Sequence, residues 1–450
     1  MVLNIGKFYQ ASNPSKTLDM GKAEDRQYYI DFSAVRGSKI INELERTITR
    51  LSPDEPTCQL FTGHIGCGKS TELLRLKHEL EQQEFHVVYF ESSQDLDMAD
   101  VDVSDILLAI AHQVSKSLEE SKINLHPTGL KGLLQGATKL LQTEIDLSGE
   151  ASIPGLGEMS ASTEGEFSLA VGIGKITAKA KDSKDVRSLL RQYLEPRVNR
   201  ILEALNQELL EPAQQQLKQQ GKQGLVVIVD NLDRLDNCVK LSGRTQPEYL
   251  FVDRGEQLNQ LKCHVVYTIP LVLVFSNDLG GLTNRFGIDP KVLPMVRVKR
   301  RDGNLCAEGI ASLRQMILAR AFPDIDPQER LSFILKVFDS PETLDRLCLV
   351  SGGHVRNLLV LLYRCLQKED PPIYREVLES VISQRRNELS LAITPTEWGL
   401  LREVMQQKAV RGEEGCQTLL RSLFVFEYRD RDDYWFDLNP VLAEAKELHG

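Results

Sequence analysis

Eight consecutive residues, Gly63-His64-Ile65-Gly66-Cys67-Gly68-Lys69-Ser70, fit the spacing G-x-x-x-x-G-K-[ST], and their flanks constrain the fold more than any other feature. An apolar stretch with Cys58, Leu60 and Phe61 precedes them, and Leu73, Leu74, Leu76 and Leu80 follow at helical spacing. A strand, a glycine-rich loop and a helix in that order make the motif physical. The glycines let the backbone curl so that its N–H groups face phosphate oxygens, and the helix N-terminus adds positive potential. In that geometry Lys69 reaches β- and γ-phosphates and the Ser70 hydroxyl ligates Mg²⁺, with Thr71 completing the binding set. The chain is expected to bind a nucleoside triphosphate.

A second run supports this. Leu225-Val226-Val227-Ile228-Val229 is short, apolar and rich in β-branched residues, and it ends in Asp230, as a buried parallel strand delivering a Mg²⁺-orienting carboxylate does. Asn231, Leu232, Asp233, Arg234 and Leu235 continue it.

With 450 residues the chain has length for two to four domains, and 26% charged with 42% hydrophobic residues is ordinary for a globular protein. No apolar run reaches the ~18 residues of a spanning helix; the longest, Val265 to Phe275, contains Pro270 and reads as strand and loop. Residues Met1 to Ser15 show no secretory pattern, so a cytoplasmic location is expected. The eight cysteines form no C-x-x-C pair, and His64, His112, His264 and His354 have no ligand spacing, which supports neither a disulfide framework nor a zinc site. Cys67 is expected to be an exposed thiol. A formal charge of −10 disfavours sequence-independent nucleic-acid binding.

Along the chain, Tyr28 to Gly37 reads as a strand-like approach, with Asp31 and Arg36 near the base pocket, followed by a helix with Ile40, Ile41, Leu44 and Ile48. Phe85 to Phe90 predicts a second strand, Ile106 to Val114 a helix, and Leu130 to Leu141 another. This alternation predicts a parallel sheet with helices on both faces. From Glu144 to Lys181, Ile145, Leu147, Ala151 and Ile153, then Phe167, Leu169, Val171 and Ile173, alternate in a way that suggests an inserted β-hairpin, with Pro154-Gly155 and Gly165 as turns; a surface excursion is the alternative. Val186 to Leu217 predicts one long helix, His264 to Thr268 and Val292 to Val298 strands. Helices are expected over 309–321, 328–338, 341–350 and 355–367. Helical patterns to Gln407 and two strands, Leu423 to Tyr428 and Tyr434 to Leu438, around a charged tip resemble a winged helix.

This order of signatures resembles the AAA+ superfamily and the neighbouring STAND class of signalling ATPases, nearest the origin-recognition-like branch. The resemblance spans about Tyr28 to Leu438, without a counterpart for Glu144 to Lys181. It implies an α/β P-loop NTPase core over 1–300, a helical lid over 301–370 and a winged-helix-like domain over 371–450. It implies ATP and Mg²⁺ as cofactors, Gly63 to Ser70 as Walker A, and Val226 to Asp233 as Walker B. Thr268 is then sensor 1, Arg285 an arginine finger acting within a homo-oligomer, and Arg356 sensor 2.

One departure matters. Such hydrolases place Glu after the Walker B Asp to orient the attacking water, and here Asn231 stands there. A carboxamide holds a water but takes no proton from it, which leaves Asp233 as the alternative base and suits a slow switch. The expected function is an ATP-dependent switch that reports nucleotide state to a protein partner. A DNA-binding ATPase regulator is the first alternative, although residues 371–450 carry ten Lys plus Arg against fourteen Asp plus Glu. A non-hydrolysing, nucleotide-bound scaffold is the second.

Overall fold

The computed structural model of the chain describes residues 2–37, 39–125, 127–148, 168–240, 242–412, 414–430 and 433–448. Five parallel strands, β1 (Cys58–Gly63), β2 (His86–Glu91), β3 (Leu225–Asp230), β4 (His264–Thr268) and β5 (Lys291–Leu293), form a sheet in the order β2-β3-β4-β1-β5. Every β3 residue is buried. Strand alternation sends Leu225, Val227 and Val229 into one apolar cluster and Val226 and Ile228 into another on the opposite face, so this strand needs no polar alternation. Phe61 of β1 pairs with Thr268, and Val229 with Tyr267. The carboxyl ends of β1, β3 and β4 therefore meet at one edge of the sheet.

One face is covered by α2 (Ile40–Arg46) and α3 (Lys69–Gln82), through Ile40, Ile41, Leu44, Leu73, Leu76 and Leu80. The other is covered by α4 (Val103–Glu120), started by an Asp102/Asp105 capping box, together with α5 (Thr128–Ser148) and α6 (Leu169–Asp182). Helix α6 corrects the hairpin expectation. Leu169, Ile173, Ile176 and Ala180 recur at helical spacing and are buried against α4, and Ser168 caps the helix by accepting from the Val171 N–H. Burial of four apolar side chains on one stripe outweighs the weaker two-residue alternation. Ile145 and Leu147 lie within α5, while Ala151, Ile153, Pro154-Gly155, Gly165 and Phe167 lie outside the described residues.

The expected long helix from Val186 is instead segmented: α7 (Lys184–Leu194), a 3-10 turn Glu195–Arg197, a helix Val198–Ala204, a π turn Leu205–Leu210 and a helix Glu211–Gln219. Pro196 and Pro212 fall in these pieces and cannot donate to the helical ladder. Strand β5 is also shorter than expected because Pro294 has no N–H to give the sheet. Beyond it the Met295 N–H bonds Glu427 O (3.1 Å) and the Arg297 N–H bonds Val35 O (3.2 Å). Tyr28 to Gly37 forms no strand; it holds a 3-10 turn, Ser33–Val35, with Phe32 and Val35 packed beside Val296 and Val298.

That packing belongs to a helical cluster. It joins α1 (Ile5–Ala11) through Phe8 with α9 (Ala307–Ala321), α10 (Pro341–Val350), α11 (Val355–Lys368) and α12 (Arg375–Ser390), α8 being the sheet-side helix Leu279–Phe286. The expected helix over 328–338 is an α-turn, Pro327–Arg330, and a 3-10 stretch, Leu331–Lys336. The C-terminal region comprises α13 (Pro395–Gln407), α14 (Glu414–Arg421) and an antiparallel ribbon of β6 (Val425–Asp430) and β7 (Asp433–Leu438). Val425 faces this region's own core, whereas Phe426, Tyr428 and Trp435 face the cluster on the sheet. The two faces of one strand thus tie the ribbon to its helices and to the sheet. Among the described residues no helix is long and apolar enough to cross a membrane.

Candidate nucleotide site

A cleft opens at the edge where β1, β3 and β4 end. Its floor is the loop from Ile65 to Gly68 and the first turn of α3, Lys69 to Glu72. Gly66 and Gly68 have φ of +90° and +107°, a region that side chains strain. A Cβ on Gly66 would also meet His354 Cε1 at 2.8 Å and Arg356 Cβ at 2.9 Å, so the lid sits directly on the loop.

Lys69 is folded back. Its ammonium donates to Gly63 O (2.7 Å) and His64 O (2.9 Å) and pairs with Asp233 Oδ2 at 3.0 Å. Burial alone would depress this ammonium; Asp233 outweighs it and holds it above the ordinary lysine value. Asp230 is fully buried and accepts from the Tyr89 phenol (2.7 Å) and the Asn231 N–H (2.7 Å), with the Ser70 hydroxyl also reaching it. Burial, then the Asp233 charge, raises its pKa. Strand β3 ends at Asp230, which lies buried just behind the cleft, and the turn that follows lets Asp233 face it. Asn231, lining the cleft at φ +67°, occupies a left-handed conformation that asparagine tolerates better than glutamate does.

The remaining expected site residues distribute differently. Arg356 lines the cleft and its N–H bonds Gly66 O at 3.1 Å. Burial, then the neighbouring Arg234 charge, lowers its pKa. Arg36 is buried against the loop, donating from Nη2 to Cys67 O (2.6 Å), while its Nε and Nη1 have no hydrogen-bond partner among the described residues. Asp31 is exposed and does not line the cleft. The Thr268 hydroxyl is spent on main chain, donating to Val229 O (3.3 Å) and accepting from the Leu232 N–H (3.0 Å). Arg285, on α8, donates to Val252 O (3.1 Å) and lies near Glu256 rather than in its own chain's cleft. Cys67 is buried, with Sγ 3.7 Å from Leu293 O, which corrects the expectation of an exposed thiol.

The approach from Tyr28 does line the cleft, whereas sequence reasoning missed Lys16, Glu72, Met316 and Arg320. Glu72 accepts from the Tyr29 phenol, a long-range contact that no local pattern signals, and pairs with Arg75 one turn along its own helix. It also missed His64 and His354 as connectors. His64 Nε2 accepts the Glu427 N–H of the ribbon (3.0 Å), and His354 Nε2 donates to Ile65 O (2.9 Å) while its Nδ1 accepts the Asn357 N–H and caps α11. Phe426 lies between the two imidazoles, edge-on to His64 and stacked on His354.

These residues fit a nucleotide. Arg36 leaves two buried donor nitrogens unmet and Asp233 Oδ1 is a buried unmet acceptor, all at the cleft. Ser70 beside Asp230 suits Mg²⁺, which needs one or two protein oxygens and takes the rest from phosphate and water.

Residues 38–239 match the family model of the KAP family P-loop domain. No curated protein sequence matches the chain significantly. The chain is similar to solved structures at low identity. A Walker-type ATPase of Pyrococcus abyssi is 11% identical, covering 98% of this chain and 100% of that one, with a TM-score of 0.40. The Aeropyrum pernix ORC2 protein, in ADPNP–ADP complexes, is 11% identical over 98% and 95%, with 0.39. The Aeropyrum pernix ORC1 protein, in complex with DNA, is 13% identical over 98% and 97%, with 0.38. The assignment rests on the family match and on the geometry: this stretch is a P-loop NTPase domain.

Proposed function

We propose that the chain is an ATP- and Mg²⁺-dependent switch of slow turnover, in which the state of the phosphate loop is passed to the C-terminal helix-and-ribbon region and from there to a protein partner. Residues 1–300 serve as core, 301–370 as lid and 371–450 as a winged-helix-like reporter. The hydrogen bond from the Glu427 N–H to His64, inside the phosphate loop itself, carries this reading. A loop that changes shape around phosphates cannot do so without moving the partner of His64, and Phe426 makes the lid histidine part of the same contact.

Bound Mg²⁺ supplies positive charge at the transferring phosphate. Within the chain, Lys69 leaves Asp233 to meet phosphate oxygens, Ser70 and Asp230 present oxygens to the metal, and Arg36 and Arg356 donate into the cleft. Asp233, once freed of Lys69, can orient a water, and Thr268 acts as a positioning residue that fixes the turn carrying Asn231 and Asp233. Asn231 takes no proton, in keeping with slow turnover.

The test is hydrogen exchange of the amides of 425–438 with and without ATP and Mg²⁺. Exchange in the ribbon should change in the native chain and not in Lys69→Ala. A ribbon indifferent to saturating ATP in a chain that binds it would remove the reporter role.

A further inference from the structure

Arg320 lines the same cleft at the end away from the phosphate loop, in the last turn of α9, and is only 6% exposed. It donates from Nε to Ala11 O (3.1 Å) and from Nη1 to Met316 O (2.8 Å). Nη2 has no hydrogen-bond partner among the described residues, and no carboxylate there pairs with this guanidinium. Buried cations ordinarily have a counter-charge. Two other charged groups of the cleft are engaged: Lys16 pairs with Asp25, and Glu72 with Tyr29 and Arg75.

The loop and α3 fix the phosphates at one end, so the base of a bound nucleotide lies toward the other. There Tyr28, Ile30, Met316 and Leu359 offer flat and apolar walls, and Arg320 Nη2 is a charged donor left unused. We propose that Arg320 reads the imidazole edge of a purine, donating from Nη2 to N7, and so makes the cleft select purine over pyrimidine nucleotides; this rests on the nucleotide reading above. A purine carries an acceptor at N7 and a pyrimidine has no such atom. Burial brings the Arg320 pKa down to about 10, with the Tyr28 phenol opposing; the group remains charged at neutral pH and its bond to N7 is charge-assisted.

The experiment compares ATP, 7-deaza-ATP and CTP, each with Mg²⁺, by titration calorimetry on the full chain. In 7-deaza-ATP a C–H replaces N7 and the sugar and triphosphate are unchanged. The native chain should bind 7-deaza-ATP and CTP at least roughly tenfold more weakly than ATP, the effect of losing one charged hydrogen bond in a buried site. Arg320→Met should bind ATP and 7-deaza-ATP equally. Equal affinity of the native chain for ATP and 7-deaza-ATP would overturn the proposal, and it needs no variant to fold. So would an undiminished preference for ATP in Arg320→Met. Failure of ATP to bind, or equal binding by Lys69→Ala, would instead remove the nucleotide reading itself and this inference with it.

Discussion

Lys69 cannot contact Asp233 and a triphosphate in the same way at once, because its three donors already meet Gly63 O, His64 O and Asp233 Oδ2. Asp233 therefore competes with the nucleotide for this ammonium. Asp233→Asn should tighten ATP binding on the order of tenfold, the worth of a charged hydrogen bond, while lowering turnover. Calorimetry and a phosphate-release assay check the two halves, and unchanged affinity would show that the ion pair opens at no cost. The residues of the loop were legible in the sequence because their spacing is local and their chemistry is fixed by backbone geometry. Arg320 and Glu72 were not. Each reads as an ordinary helix residue, a last-turn cation and a first-turn acid, and only the fold brings Ala11 or Tyr29 to it.

Among elements, the sheet was the most readable part, since a strand buried on both faces must be continuously apolar and its neighbours follow from alternation with helices. Boundaries failed where proline intervened, at Pro196, Pro212 and Pro294, and the type failed at α6, where a glycine-rich run permits both periodicities until α4 supplies the surface to pack on. Helix α11 yields a pH test. His354 caps it and bonds Ile65 as a neutral ring, since burial lowers its pKa to about 4 against about 6.5 unfolded. As pH falls from 7 toward 4 the unfolded chain takes the proton first, so stability present above pH 6.5 is lost through that window, up to about 3 kcal/mol from this group. His64, whose pKa burial also lowers, acts in the same direction. His354→Asn keeps a capping oxygen and removes the titration. Denaturant unfolding at several pH values should show a shallower acid slope in the variant, and identical slopes would mean that the ring is not neutral in the folded protein.

At the scale of the molecule, assembly is the open question that Arg285 poses. It stands half-exposed on α8, outside its own chain's cleft. If it completes a neighbour's site, Arg285→Ala should bind ATP and lose turnover, and mixing it with Lys69→Ala should restore part of the activity, because the Lys69→Ala chain still offers its arginine to an intact loop. Arg356 lines its own cleft, and the mixture of Arg356→Ala with Lys69→Ala should show no rescue. Absence of rescue in both mixtures, with turnover independent of protein concentration, would leave a switch that acts as a single chain.

The cleft wall begins at Pro14 and is closed by Met316, Arg320, Val355, Arg356 and Leu359, while Phe8 of α1 is covered by the same late helices. On a ribosome adding about 5–20 residues per second, the roughly 300 residues between them take about 15–60 s to appear. Phe8 has nothing to bury it over that time, and the phosphate loop, then β3 with Asp230, exist without a lid from their synthesis until its end. ATP therefore cannot stabilise the half-made chain through contacts it has not yet acquired, and α1, made long before the helices that cover it, is among the last elements to find its place.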